Sequence, residues 1–243
     1  MRITVCENYN EMSKTAATLV ASQITLKPDC VLGFATGSTP VGMYEELCRM
    51  YKNGEIDFSA VTSFNLDEYY PIQKQNPESY NFFMYDKLFS HINIKKEKIH
   101  IPDGETTNPE KECERYEASI TESGGIDLQI LGIGVNGHIG FNEPNDNLDA
   151  KTHLTSLSKS TIDANSRFFD SSDEVPKKAI TMGVSTILKS KKIVLLANGK
   201  NKHGVIKELL KEKVNTAVPA TLLNVHRDVV IICDKEAYYG NDF

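Results

Sequence analysis

The chain has 243 residues, of which 40% are apolar, 25% charged and 8% aromatic, with 15 glycines and 9 prolines. These proportions are typical of a folded globular protein and exclude collagen-like, low-complexity and disordered classes. The formal net charge is -6, from 27 basic and 33 acidic residues, without a basic stripe. We therefore expect no nucleic-acid or anionic-membrane partner, and an anionic ligand needs a local site of amides and cations.

Five cysteines are widely scattered and form no C-x-x-C pair, which argues against a disulfide framework or a zinc knuckle. Residues 1–8 are too polar for a signal peptide, and no apolar stretch is long enough to span a membrane. We therefore expect a cytoplasmic protein with reduced thiols.

Short apolar runs alternate with segments of helical period along nearly the whole chain, without an internal repeat or a linker. Strands are predicted at 2–5, 30–35, 61–66, 98–101, 126–132, 192–197 and 228–233. Helices are predicted at 10–25, 40–52, 78–91, 108–123, 177–189 and 200–211. The pattern predicts a single α/β domain over residues 1–243. Its Rossmann-like, mostly parallel sheet of about seven strands forms the middle of three α/β/α layers. Ligands bind such sheets beyond the carboxyl ends of the strands.

One segment departs from this alternation. Residues 145–176 are polar, rich in Ser, Asn and Asp, and have only a weak helical period around 158–169. Long irregular insertions in compact domains are usually functional lids or disordered excursions. Because this one follows the most glycine-rich loop of the chain, we predict a lid at about 150–180.

After strand 30–35 the chain reads Thr36-Gly37-Ser38-Thr39-Pro40 and then enters a predicted helix. Gly37 permits close backbone approach, Ser38 and Thr39 offer hydroxyls and amides, and the helix dipole directs its positive end at the loop. The segment favours a phosphate site and a simple capped helix about equally. The Gly-Lys-[Ser/Thr] ending of an ATP-binding loop is missing.

After strand 61–66 come two adjacent carboxylates, Asp67 and Glu68, followed by aromatic residues. Desolvation at a strand end can raise the pKa of one carboxyl and leave a general base for proton abstraction. A helix cap or a solvated acidic turn is the commoner use of such a pair. By itself this signal is weak.

The loop after strand 126–132 contains His138 and Glu143, five residues apart, with Asn136 nearby. A carboxylate that orients an imidazole makes a proton shuttle that works near neutral pH. A metal site is the rival interpretation, but the chain lacks H-E-x-x-H and an obvious second cluster of ligands. A histidine with a purely structural role, its hydrogen bonds satisfied inside the loop, is less favoured because the loop is so rich in glycine.

Two cations complete the candidate site. Arg167 lies in the predicted lid, and Lys202 lies in the turn between strand 192–197 and the next helix. Either one alone is an ordinary surface charge. Together with the loop at 36–39 they would supply the anion site.

Four segments in register resemble the glucosamine-6-phosphate deaminases, and the likeness extends from about residue 5 to residue 234. They are TGSTP at 36–40, NLDEY at 65–69, GHIGFNEP at 137–144 and ANSRFF at 164–169. The resemblance implies conversion of glucosamine 6-phosphate and water to fructose 6-phosphate and ammonia, without cofactor or metal.

The resemblance also implies the roles of the site residues. His138 assists opening of the sugar ring, with Glu143 and Asn136 tuning or orienting it. Asp67 moves a proton from carbon 2 to carbon 1 of the open-chain sugar. The substrate, and in particular its phosphate, is held by Gly37, Ser38, Thr39, Gly137, Arg167 and Lys202.

This sequence departs from the longer, hexameric members, which carry Asp where Asn136 stands. Those members also bind an allosteric activator through basic residues, whereas the corresponding positions here are His153 and Thr155, and the chain ends at Phe243. We therefore expect an unregulated monomer or low-order oligomer with a different pH profile.

Two alternatives stay open. A 6-phosphogluconolactonase shares the phosphate loop and the Gly-His loop, although the residues around Asp67 and Glu143 favour the deaminase. A sugar-phosphate sensor module is the other alternative, and it would need a DNA-binding helix pair for which we expect no room before the first strand.

Overall fold

The computed structural model describes residues 1–158, 162 and 176–242. Its strands are β1 (Arg2–Cys6), β2 (Val31–Phe34), β3 (Thr62–Asn65), β4 (Asp67–Tyr70), β5 (Ile99–His100), β6 (Leu128–Leu131), β7 (His153–Ser156), β8 (Lys178–Thr181), β9 (Lys192–Ala197) and β10 (Val229–Asp234). Seven of them form one sheet in the order β1-β10-β9-β6-β2-β3-β5, and every neighbouring pair is parallel. These are the seven predicted strands, so the predicted parallel sheet is confirmed.

The helices are α1 (Tyr9–Leu26), α2 (Val41–Lys52), α3 (Tyr80–Lys87), α4 (Pro109–Glu122), α5 (Val184–Leu188), α6 (His203–Leu209) and α7 (Lys235–Tyr239). Helices on both faces of the sheet complete the predicted three-layer α/β/α architecture. Helix α1 shows why: the Asn8 side chain accepts from the Glu11 amide at 3.1 Å, and Met12, Ala16 and Val20 face the core at helical spacing. The predicted helices 10–25, 40–52, 78–91, 108–123 and 200–211 are confirmed with shifted ends.

A second, three-stranded antiparallel sheet in the order β4-β8-β7 was not predicted. The prediction of one continuous helix over 177–189 is wrong, because Lys178–Thr181 is a strand and only Val184–Leu188 is helical. Residues 67–70, expected as a loop, form β4 and pair with β8 residue by residue. Pairing between distant segments overrides local propensity here.

The core lies between the main sheet and its helices, and every residue of β2, β6 and β10 is buried. Strands covered on both faces need such continuous apolar runs. Most of the predicted lid, including Arg167, lies outside the described residues. The two described ends of that segment are joined, since the Leu157 amide donates to the Lys177 carbonyl at 2.9 Å. Among the helices within the described ranges, none combines the length and apolar character needed to cross a membrane.

Candidate active site

Strand order brings four of the predicted site residues to one edge of the main sheet. Strands β9, β6, β2 and β3 are consecutive neighbours and all run in the same direction. The segments that follow them carry Lys202, His138, Thr39 and Asp67, respectively, and Asp67 opens strand β4. Side chains separated by up to 163 positions in the sequence printed above thus converge at the carboxyl ends of the strands.

The Asp67 carboxyl is nearly buried, with only 6% of the residue exposed. Burial raises its pKa to about 8, and the negative charge of Glu68 adds to that shift. Asp67 opens β4 opposite Thr181 of β8, and a side chain built on Gly140 would lie 3.6 Å from its Oδ2 atom. The carboxyl therefore lies against the glycine-rich loop in a poorly solvated position.

The neighbouring Glu68 has a different environment. Its oxygens accept from the backbone amides of Tyr69 at 2.9 Å, Tyr80 at 2.8 Å and Asn81 at 2.7 Å. Burial raises the pKa of Glu68, and these three donors oppose that shift. The helix-cap interpretation of the acidic pair thus holds for Glu68 but not for Asp67.

His138, Asn136 and Glu143 form one connected group. His138 Nδ1 lies 3.5 Å from Glu143 Oε1, and the imidazole is 25% exposed. Asn136 Nδ2 donates to Glu143 Oε2 at 2.7 Å, while Asn136 Oδ1 accepts from the backbone amide of His138 at 3.2 Å. Asn136 therefore ties the carboxylate to the backbone of the histidine, and the predicted imidazole–carboxylate pair is present.

Glycines give the loop its shape around this group. A side chain at Gly134 would meet the His138 ring at 2.4 Å, so the imidazole packs directly on the backbone there. Gly137 has a φ of 87°, and its side-chain position is filled by Val218 at 2.5 Å. The Gly137 carbonyl accepts from the Ala220 amide at 2.8 Å, and its own amide donates to the Gly134 carbonyl at 3.0 Å. Gly137 is thus buried, and both of its backbone groups are engaged within the protein.

The predicted anion loop leads into helix α2. Gly37 and Ser38 are exposed, and Gly37 has a φ of 90° with open space where a side chain would be. Thr39 Oγ1 donates to Asn198 Oδ1 at 2.9 Å, which joins this loop to the loop after β9. Lys202 Nζ donates to the Ile133 carbonyl at 2.6 Å, at the start of the glycine-rich loop. A helix N-terminus and an ammonium group therefore border the same edge of the sheet.

The predicted phosphate contact from Arg167 falls outside the described residues and stays a prediction. Within the described ranges, no three His, Cys, Asp or Glu side chains are grouped so that they could hold a metal ion.

Comparison with known proteins identifies the family of the chain. The sequence profile of the family described as glucosamine-6-phosphate isomerases/6-phosphogluconolactonase matches residues 7–232. The chain belongs to this family. The glucosamine-6-phosphate deaminase of Halothermothrix orenii is 60% identical over 237 residues, which cover 98% of each chain.

Solved structures of the isomerase/lactonase family share the fold. A monomeric glucosamine-6-phosphate deaminase superposes with a TM-score of 0.95 at 45% identity, over 98% of both chains. A 6-phosphogluconolactonase from Thermotoga maritima superposes with a TM-score of 0.75 at 24% identity, over 96% of this chain and 99% of that one. At that identity the second likeness shows the fold alone.

Several partners of the site residues were missed by sequence reasoning. Ser158 Oγ donates to Glu143 Oε1 at 3.1 Å, and Thr181 Oγ1 accepts from the Phe141 amide at 3.1 Å. Thr181 lay inside the segment predicted as helix, and Ser158 lay inside the predicted lid. In neither case did a local motif mark the residue.

Proposed function

We propose that this family member is an enzyme that converts glucosamine 6-phosphate and water to fructose 6-phosphate and ammonia. The proposal rests chiefly on Asp67, a buried carboxyl whose pKa is raised to about 8, next to a loop that holds an imidazole–carboxylate pair. Asp67 would act as the base for a C–H bond, and the imidazole–carboxylate pair would move protons between oxygen atoms. The 60% identity to a protein named glucosamine-6-phosphate deaminase supports the same reaction.

Ring opening comes first and uses His138. Its imidazole takes the proton from the hydroxyl on carbon 1 and delivers a proton to the ring oxygen, which gives the open-chain aldehyde. Glu143, 3.5 Å from Nδ1, stabilises the protonated imidazole in between. Asn136 holds Glu143 in that position through its 2.7 Å hydrogen bond.

Asp67 then performs the carbon chemistry. Its ionised carboxylate removes the proton from carbon 2, and the electron pair shifts through carbon 1 onto the aldehyde oxygen. That oxygen takes a proton from the ammonium group on carbon 2, which gives an enediol-type intermediate with a neutral amino group. The protonated Asp67 returns the proton to carbon 1, which leaves an imine at carbon 2. Water adds to that carbon, ammonia leaves, and the ketone of fructose 6-phosphate remains. A desolvated carboxyl suits both halves of this transfer because its pKa lies close to working pH.

The phosphate of the substrate is bound by the loop from Gly37 to Thr39, by Lys202 and by Arg167. The positive end of the α2 dipole and a nearby ammonium compensate the negative charge that the protein carries overall. Gly137 contributes to substrate binding indirectly, by shaping the turn of the loop, since its backbone groups bond to Gly134 and Ala220.

The enzyme works in the cytoplasm as a monomer or low-order oligomer. All five cysteines are buried and free, which suits a reducing compartment. The monomeric state of the structural neighbour supports the small assembly.

The direct test measures ammonia and fructose 6-phosphate released from glucosamine 6-phosphate by the wild-type protein and by Asp67→Asn, without added metal. Equal amounts of both products, abolished in Asp67→Asn while the substrate still binds, are expected. No ammonia from folded wild-type protein would overturn the proposal. Acid release from 6-phosphogluconolactone would then identify a lactonase, and sugar-phosphate binding without turnover would identify a sensor module.

A further inference from the structure

Tyr80, the first residue of α3, lies next to three parts of the candidate site: the strand of Asp67, the loop of His138 and the anion loop at 36–39. Its ring stacks on Phe141, with centroids 6.1 Å apart and planes at 4°, and lies 4.7 Å from the ring of Tyr69. Phe141 lies in the loop of His138, and Tyr69 lies two residues after Asp67 in β4. One side chain thus connects the loop that opens the ring with the strand that carries the base.

The hydroxyl of Tyr80 extends this connection to the anion loop. The side chains of Tyr69 and Thr36 lie next to it and act on its pKa. Thr36 is the first residue after β2 and directly precedes Gly37. Because burial raises the pKa of Tyr80 well above its ordinary value, the hydroxyl stays protonated and remains a donor.

Glu68 fixes the backbone from which Tyr80 projects. It accepts from the amides of Tyr80 and Asn81, the first two residues of α3, and the Ser79 hydroxyl accepts from the third, Phe82, at 3.0 Å. All three amides of the first helical turn are thereby held. Successive side chains of a strand point to opposite faces, so the Glu68 carboxylate is directed away from Asp67.

We infer that Tyr80, anchored by Glu68, is a positioning residue for the proton transfer at carbon 2. It fixes the base, the ring-opening loop and the anion loop relative to one another. This inference rests on the proposed deaminase function. Asp67 must be aligned with a substrate held at its far end by the phosphate, and small errors in such alignment lower the rate of chemistry more than they weaken binding.

Tyr80→Phe tests the inference, because it removes the hydroxyl and keeps the stacked ring. We expect kcat to fall about tenfold or more with KM changed less than about threefold. The kinetic isotope effect on kcat with substrate deuterated at carbon 2 should rise, because proton removal becomes more strongly rate-limiting. Thr36→Val removes the partner hydroxyl and should give the same signature, which keeps the inference testable if Tyr80→Phe does not fold.

Thr186→Val is the matched control. This buried threonine donates its hydroxyl to Glu117 Oε1, and the helices of the two residues, α5 and α4, carry no site residue, so its loss removes a buried side-chain hydroxyl away from the site. It should lower stability and leave the isotope effect unchanged. An unchanged isotope effect in both Tyr80→Phe and Thr36→Val, with an active wild type, overturns the positioning role alone. A wild type that releases no ammonia overturns the proposed function and this inference together.

Discussion

Asp67 should make the protein less stable as pH rises, and replacing it should remove that dependence. The folded protein holds the proton of Asp67 up to a pH of about 8, whereas an unfolded chain releases it near about 3.9. Because the folded pKa is raised, the stabilising contribution is complete below the unfolded pKa and is lost as pH rises to the folded pKa. Each pH unit in that window corresponds to about 1.4 kcal/mol, so the loss between pH 5 and pH 7 is about 2.7 kcal/mol.

The experiment compares urea unfolding of wild type and Asp67→Asn at pH 5, 6 and 7. Circular dichroism is the appropriate probe, since the chain contains no tryptophan. The amide of the variant adds a cost that does not change with pH, so the quantity to compare is the change with pH of the difference in unfolding free energy, and not its absolute value. Asp29→Asn, at an exposed position, is the control and should follow wild type. A difference between Asp67→Asn and wild type that stays constant over this range would refute the argument that burial holds the proton on Asp67.

Three further predictions concern the loops. Gly134→Ala places a methyl group 2.4 Å from the His138 ring and should lower kcat about 100-fold, whereas Gly132→Ala, with nothing within 4 Å, should be nearly silent in the same steady-state assay. Asn136→Asp puts a second carboxylate next to Glu143, the partner of His138, which favours the protonated imidazole and should move the pH optimum upward; an unchanged pH profile would show Asn136 to be a bystander. Lys202→Met should raise KM about 10- to 100-fold with little change in kcat, and equal KM values for both proteins would exclude Lys202 from phosphate binding.

The main sheet was predictable because its strands are buried on both faces and are therefore continuously apolar, as in residues 192–197. The second sheet was not, because its burial depends on partners that are far away in the chain. Strand β4 reads Asp-Glu-Tyr-Tyr, which resembles a polar turn until β8 pairs with it. The same missing partner explains why residues 178–181 were assigned to a helix.

The candidate site divides in the same way. The His138–Glu143 pair lies within one short loop, so its spacing alone was informative. The environment of Asp67 depends on tertiary packing, and sequence reasoning could offer a buried base only as the less common alternative to a cap. Tyr80 lies twelve positions beyond Glu68 and carries no motif, and only the folded chain shows that the two are joined.

Glu143 and Asp67 differ in the hydrogen bonds and charges that surround their carboxyl groups. Glu143 accepts hydrogen bonds from Asn136 and Ser158, which hold its carboxylate near the imidazole of His138. Among the described residues, burial and the charge of Glu68 are what act on Asp67, and both favour its protonated form. A carboxyl so placed takes a proton from carbon only weakly at low pH, but it returns the proton readily. In the proposed mechanism one group performs both steps, and a carboxyl whose described surroundings raise its pKa is suited to that double task.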